Sequence, residues 1–200
     1  MTTRAELRSR LRRFLDDPDP AAPLWPDTAL DDWLANAARE YGARFPREAT
    51  VTLAPLIGQI DYPLPDDARR VVRVESPPGQ VIARRPPDLA HEPGAAQSYA
   101  AFGGALRFGL PPVAPILVAY RGPYPWPTAA DTPLALPDEG LDLVLLGAAI
   151  LALGQRQIAA AKRRGGSPPE SLALETARRL YAEALRRNRS AVGSRQSAGG

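Results

Sequence analysis

The apolar positions of this chain change period twice along its length. From Thr3 to Leu15 and from Thr28 to Phe45 they recur at helical spacing, one face apolar and the other charged. From Val51 to about Arg121 they alternate in short runs broken by proline, as strands do. Helical spacing returns from Pro137 to Arg163 and from Ser167 to Arg189. The layout predicts an α+β fold: a helical bundle of about four helices with an antiparallel β insertion between the second and third helices. Residues 1–48 would form the N-terminal helix pair, 49–127 the β-rich insertion with proline-rich loops, and 128–190 the C-terminal helix pair. Residues 191–200, small and polar, read as a flexible tail.

Local chemistry sets the expected boundaries. Thr3 and Glu6 stand at capping-box spacing, and Asp16-Asp17-Pro18-Asp19-Pro20 stops the first helix because proline lacks an amide donor. Trp25-Pro26-Asp27-Thr28 starts the second, with Asp27 or Thr28 as its cap and Asp31 and Asp32 toward its positive end. Its stripe is Leu30, Trp33, Leu34, Ala37, Ala38, Tyr41 and Phe45. In the insertion, strand-like runs appear at Ala49–Leu53, Gly58–Tyr62, Arg69–Glu75, Gly104–Phe108 and Ile116–Arg121. Val81 and Ile82 continue as a hairpin return after Pro77-Pro78-Gly79, Asp66 and Asp67 read as turn residues, and Pro86 to Ser98 reads as an irregular loop. Gly122 to Pro127 is a stiff, extended linker. The third helix is apolar on nearly every face from Leu141 to Leu153, so it needs cover on all sides, from its own chain or from neighbouring subunits. Ser167 and Glu170 repeat the capping-box spacing before the last helix. Its stripe is Leu172, Leu174, Ala177, Leu180, Tyr181, Ala184 and Leu185.

Composition narrows the class. The 200 residues are 44% hydrophobic, enough for one core with a small satellite, and they include no cysteine, which removes disulfides and thiolate metal sites. The arginine-rich N-terminus is followed by no apolar stretch, so it does not read as a secretory signal. The apolar run Leu141–Gly154 is too short to cross a bilayer, and a soluble protein without a membrane partner is expected. Net charge is +3, yet from Gln155 onward ten basic residues face three acidic ones. A basic end of this kind meets nucleic acid, an acidic protein or solvent. All but one of the basic residues are arginine, which weakens any argument from the choice of arginine over lysine.

No pattern gathers catalytic groups. His91 stands alone in a loop. Asp16, Asp17 and Asp19 lack the glycine and glutamate that a calcium loop needs. Gly103-Gly104 and Gly165-Gly166 lack the context of a phosphate site, and no serine sits in a nucleophile elbow. No catalytic, cofactor-binding or metal site is expected, and no cofactor. Trp25, Trp33, Tyr41 and Phe45 read as core, while Trp126, enclosed by prolines, is a candidate either for contact with a neighbour or for packing over the chain's own core.

The run Glu6-Leu7-Arg8-Ser9-Arg10-Leu11-Arg12-Arg13-Phe14-Leu15, an Asp/Pro turn, and then Trp25-Pro26-Asp27-Thr28-Ala29-Leu30-Asp31-Asp32-Trp33-Leu34-Ala35-Asn36-Ala37-Ala38-Arg39-Glu40-Tyr41 carry a resemblance. So do Gln59-Ile60-Asp61-Tyr62-Pro63-Leu64-Pro65 with Arg70-Val71-Val72-Arg73-Val74, and the return to an Ala/Leu-rich helix. The chain resembles the head-to-tail connector proteins of tailed bacteriophages, also called adaptor or head-completion proteins. The resemblance implies a homo-oligomeric ring, a dodecamer, beneath the portal protein of a DNA-filled head. The ring would extend the channel and dock a stopper or tail protein, with DNA passing through without sequence-specific contacts. It implies a place in the virion neck after assembly in the host cytoplasm. Carried to this chain, Arg178, Arg179, Arg186, Arg187, Arg189 and Arg195 would face the portal. Trp126, Leu145, Leu146 and Ile150 would pack between subunits.

The rival is a basic nucleic-acid-binding protein, a regulator or packaging factor. The first two helices are joined by about a dozen residues, where a helix-turn-helix uses a turn of three or four. The acidic start of the second helix would also repel phosphate. An enzyme is the third class, and the motif search leaves it little support.

Overall fold

A computed structural model describes residues 1–17, 19, 22–86, 98–164 and 171–197, with side chains left out at 164 and beyond 188. Its contacts divide the chain into a helical unit, Met1–Arg44 with Tyr124–Gly200, and a β unit, Phe45–Pro123. The helices are α1 (Arg4–Phe14), α2 (Asp27–Arg44), α3 (Asp138–Arg164) and α4 (Leu172–Ser197). The strands are β1 (Arg47–Leu53), β2 (Asp61–Pro63), β3 (Arg70–Glu75), β4 (Ala83–Arg84), β5 (Ser98–Phe102), β6 (Ala105–Phe108) and β7 (Ile116–Gly122).

In the helical unit, α1 opens with the capping box its sequence predicts: the Glu6 amide donates to Thr3 Oγ1 and the Thr3 amide to the Glu6 carboxylate. Helix α3 is the central element, packed against α1, α2 and α4. Small residues let α2 and α3 approach closely. A Cβ added at Gly147 would stand 3.1 Å from the Ala37 Cβ, and one at Gly140 would stand 2.8 Å from the Tyr41 ring. These pairs also fix the direction: α2 and α3 run antiparallel. The segment after Tyr124 is anchored rather than a bare linker. The Tyr124 ring lies 5.5 Å from that of Tyr41, the Ala5 amide donates to the Ala130 carbonyl, and the Leu134 amide donates to that of Thr2. Trp126 therefore belongs with the helices, outside the β unit, where the sequence boundary at residue 127 had put it.

Cover over α3 is uneven. Leu141, Leu143, Val144, Ala148, Ala149 and Ala152 are buried, whereas Leu151 is 38% and Ile158 56% exposed. By length and composition alone α3 is apolar enough to cross a membrane, with a mean hydropathy of 1.6 over its most apolar window. The apolar run counted from the sequence stopped at Gly154 and missed this, because the helix continues through Ile158 and three alanines. A third of that window is buried inside the protein, and α3 packs against three other helices.

The last helix is described from Leu172 onward. Ser171 faces its first described turn: the Leu174 amide donates to Ser171 Oγ at 3.2 Å. Ser167 and Glu170 lie outside the described residues. Leu172, counted in the apolar stripe, is 79% exposed, because the first turn precedes the buried positions Leu174, Ala177 and Ala184. The helical backbone runs on to Ser197.

The β unit is a small sandwich. One sheet has the order β1-β7-β3 and the other β2-β6-β5-β4. Their facing sides share one cluster, with Val71, Val74, Ile116 and Val118 from the first and Tyr62, Tyr99, Leu106 and Phe108 from the second. Strand β7 alternates buried and half-buried positions along its whole length, as the centre of a sheet with one face inward should. The insertion is not wholly antiparallel: β4 and β5 pair in parallel. Residues 85–97 separate them, a length that permits the crossover a parallel pair requires. Strand β5 begins at Ser98, inside the span read as loop, because Ser98-Tyr99-Ala100 carries no charge to mark one of its faces as exposed. Gly103 and Gly104, at φ +58 and +76, form the two-residue turn between β5 and β6, a left-handed conformation that favours glycine. Ile82 donates to the Val74 carbonyl and Val81 bridges Glu75, the hairpin return expected there.

Candidate functional site

The charged residues of α1 are arranged against α2. Arg4, Arg8 and Arg12 recur every fourth residue and so share one face. Asp27 and Asp31 do the same on α2. Arg8 Nη1 lies 3.1 Å from Asp31 Oδ2 and Arg8 Nη2 3.3 Å from Asp27 Oδ2. Arg12 reaches Asp27 at 2.5 Å and Asp17 at 2.6 Å, and also donates to the Trp25 carbonyl at 2.9 Å. The Asp17 side chain is only 2% exposed, and its other oxygen accepts from the Leu24 amide at 2.8 Å. Hydrogen bonding from Arg12 holds the Asp27 carboxyl below its ordinary range. Asp27 thus serves arginines rather than capping α2, whose first turn closes instead onto the Pro26 carbonyl. The spacing of four in both helices was the readable signal for this ladder.

Arg10 and Arg13 of α1 are exposed, and further positive charge is turned outward on α3 and α4. Arg178, Arg179, Arg186 and Arg187 are all exposed on α4: Arg179 and Arg186 lie opposite Leu174, Ala177, Ala184 and Asn188, and Arg178 and Arg187 lie on the two flanks. The side chains of Arg189 and Arg195 lie outside the described residues. The end of α3 adds Arg156, Lys162 and Arg163, also exposed.

The four residues expected to pack between subunits are not brought together. Leu146 is already buried in its own chain, at 9% exposure, while Leu145, Ile150 and Trp126 are half-buried. Leu145 and Ile150 are five positions apart on a helix, roughly 140° around its axis, so one flat patch does not hold both.

No group of His, Asp and Glu among the described residues could hold a metal ion, and His91 lies outside them. In the β unit the carboxylates answer neighbouring cations. Asp61 takes Arg107 through two contacts at 2.6 and 2.7 Å, directly across the β2–β6 ladder, and Glu48 takes Arg121 across β1–β7. Asp67 accepts from Arg47 and from the Tyr120 hydroxyl. Burial first, and then that bond, raises the Tyr120 pKa. These are structural pairs that tie neighbouring strands together.

Residues 2–199 match the family model described as SU10 adaptor protein, and the chain belongs to that family. This agrees with the resemblance to phage adaptor proteins read from the N-terminal helices. A comparison with curated proteins finds no match. Among solved structures, the chain is 17% identical to one described as "Neck of empty GTA particle computed with C6 symmetry". That match covers 72% of this chain and 74% of the other at a TM-score of 0.26.

Proposed function

We propose that this chain is a structural adaptor of a tailed-phage neck, joining the portal of a DNA-filled head to a stopper or tail protein. Copies would close into a ring that extends the DNA channel, in the virion, without catalysing a reaction. The observation that carries this reading is the family match along nearly the whole chain. Two structural features support it. The arginines Arg178, Arg179, Arg186 and Arg187 are exposed over the outer half of α4, which suits an acidic protein surface. Leu151, 38% exposed, leaves apolar area on the central helix that a neighbouring copy would cover. The dodecamer expected from the resemblance is part of this proposal, as is the contact of α4 with the portal.

The test is association with the portal protein of the same particle. The unaltered chain should co-sediment with it, and a variant with Arg178, Arg179, Arg186 and Arg187 changed to Glu should not, while keeping its helix content. Undiminished association of that variant would remove α4 from the interface.

The nucleic-acid reading has less support. Arg4, Arg8 and Arg12 of the basic first helix are answered within the chain by Asp17, Asp27 and Asp31. Strong, salt-sensitive binding of the free chain to duplex DNA would favour that reading instead.

A further inference from the structure

Helix α3 outruns the helix that covers it. Going along α3, Gly140 faces Tyr41, Gly147 faces Ala37, and the Arg156 guanidinium lies 6.0 Å from the centre of the Trp25 ring. Helix α2 begins at Asp27, close to that last point, whereas α3 continues to Arg164. Its final turns therefore pass beyond the cover of α2. Between them and the segment leading into α2 lies a hollow of about 610 Å³. Leu24, 58% exposed, and Ile158, 56% exposed, supply apolar walls, and the half-buried Trp25 stands beside them. Arg156, Lys162 and Arg163 also line it, and no carboxylate among the described residues does.

We propose that this hollow is a docking site for a segment of another protein that carries carboxylates beside a large apolar side chain. It rests on the adaptor reading only for the source of such a segment, a second component of the neck. Two complementary features define the occupant. Three cations gathered without an acid attract negative charge and repel one another until they are answered. Leu24, Trp25 and Ile158 gain from burial only if the occupant is apolar at that point, which excludes a ligand that is all phosphate. Tryptophan and arginine side by side are also the residue types that most often anchor protein contacts. The site is separate from the arginine face of α4. It uses none of the arginines assigned to the portal.

The experiment uses the full chain and a fluorescently labelled, helical synthetic peptide with a leucine face flanked by glutamates. Two control peptides replace its glutamates with glutamine, or its leucines with alanine. Fluorescence anisotropy should show saturable binding of the first peptide, and both controls should bind about tenfold more weakly or worse. The variants Ile158→Ser and Arg156→Glu/Lys162→Glu change exposed positions, so they should keep the circular dichroism and melting temperature of the parent while losing the peptide by a similar factor.

Equal binding of all three peptides, or indifference to both variants, overturns the proposal. So does displacement of the peptide by duplex DNA at matched charge, which would make the hollow a phosphate surface. Self-association abolished by Ile158→Ser would assign it to a second copy of this chain, and that also overturns it. Portal association of the same variants keeps the two readings apart. A chain that joins the portal but ignores the peptide retains the adaptor role and loses the hollow. One that takes the peptide but never the portal does the reverse.

Discussion

The Nη2 of Arg12 lies 2.5 Å from Oδ1 of Asp27, and this contact ties the last turn of α1 to the first turn of α2. The same guanidinium holds Asp17, whose side chain is 2% exposed, at 2.6 Å. Arg4, Arg8 and Arg12 neutralise acids of their own chain, so this stripe of positive charge in the first helix is a packing device.

Arg12→Ala should therefore destabilise the protein well beyond the loss of a surface charge. It strands the Asp17 carboxylate in a nearly dry position, a change that typically costs about 3 kcal/mol or more. Arg13→Ala, at an exposed neighbouring site, should stay within about 0.5 kcal/mol. Urea unfolding of the two variants side by side measures the difference, and equal midpoints would refute the assignment.

The Asp27 contact also predicts an acid response. Its folded-state pKa is lowered, chiefly by the hydrogen bond from Arg12, below its ordinary value of 3.8. A lowered carboxyl pKa adds stability above the unfolded value, and that stability is lost as pH falls through the folded one. Stability should be flat from neutral pH to about 5 and decline below about 4, and Asp27→Asn should soften that decline. Because the Asp27 side chain is 54% exposed, solvent screening keeps the effect small. Thermal melts of both proteins across this range would reveal it.

Much of the architecture was readable from period alone. Leu7 and Leu11 are buried on α1, as their spacing requires, and the alternation of Ile116, Val118 and Tyr120 marks β7. The change from helical to strand period and back announced an insertion. Other features depend on partners distant in sequence. Ser98-Tyr99-Ala100 is buried on successive positions, so it has no alternation to display, and its parallel pairing with Ala83 and Arg84 leaves no local trace. The acid ladder was legible in principle, from arginines at 4, 8 and 12 and acids at 27 and 31. Seen one helix at a time, however, those acids look like ordinary first-turn residues. The hollow beside Trp25 could not be read, because it exists only through the difference in extent between α2 and α3.

Two glycines of α3 are predicted to differ. At Gly140 a methyl group would meet the Tyr41 ring at 2.8 Å, and that ring is itself buried. Overpacking of this kind costs about 1–3 kcal/mol, more than the roughly 1 kcal/mol that alanine gains over glycine in a helix. Gly140→Ala should lower stability. At Gly147 the nearest atom is the Ala37 Cβ at 3.1 Å, a milder contact, so there the propensity gain and the crowding should nearly cancel. Denaturant midpoints of the two alanine variants decide this, and the reverse order would contradict the close α2–α3 packing.

Gly122 offers the sharpest test of the β unit. A Cβ there would lie 2.4 Å from the Asp67 carbonyl oxygen, a backbone atom with little freedom to retreat. Gly104→Ala, in contrast, meets nothing within 4 Å and pays only for its φ of +76. That strain is about 1–2 kcal/mol. Gly122→Ala should be the more damaging of the two, visible as lost amide-exchange protection along β7.

The central claim is that this chain functions by joining a larger assembly. Its most direct test is the native mass of the purified full chain, measured alone and again with the portal protein of the same particle. The account predicts a discrete complex with the portal containing many copies of this chain in a closed ring. A chain that stays monomeric in both measurements, and that is missing from the neck of assembled particles, would contradict it.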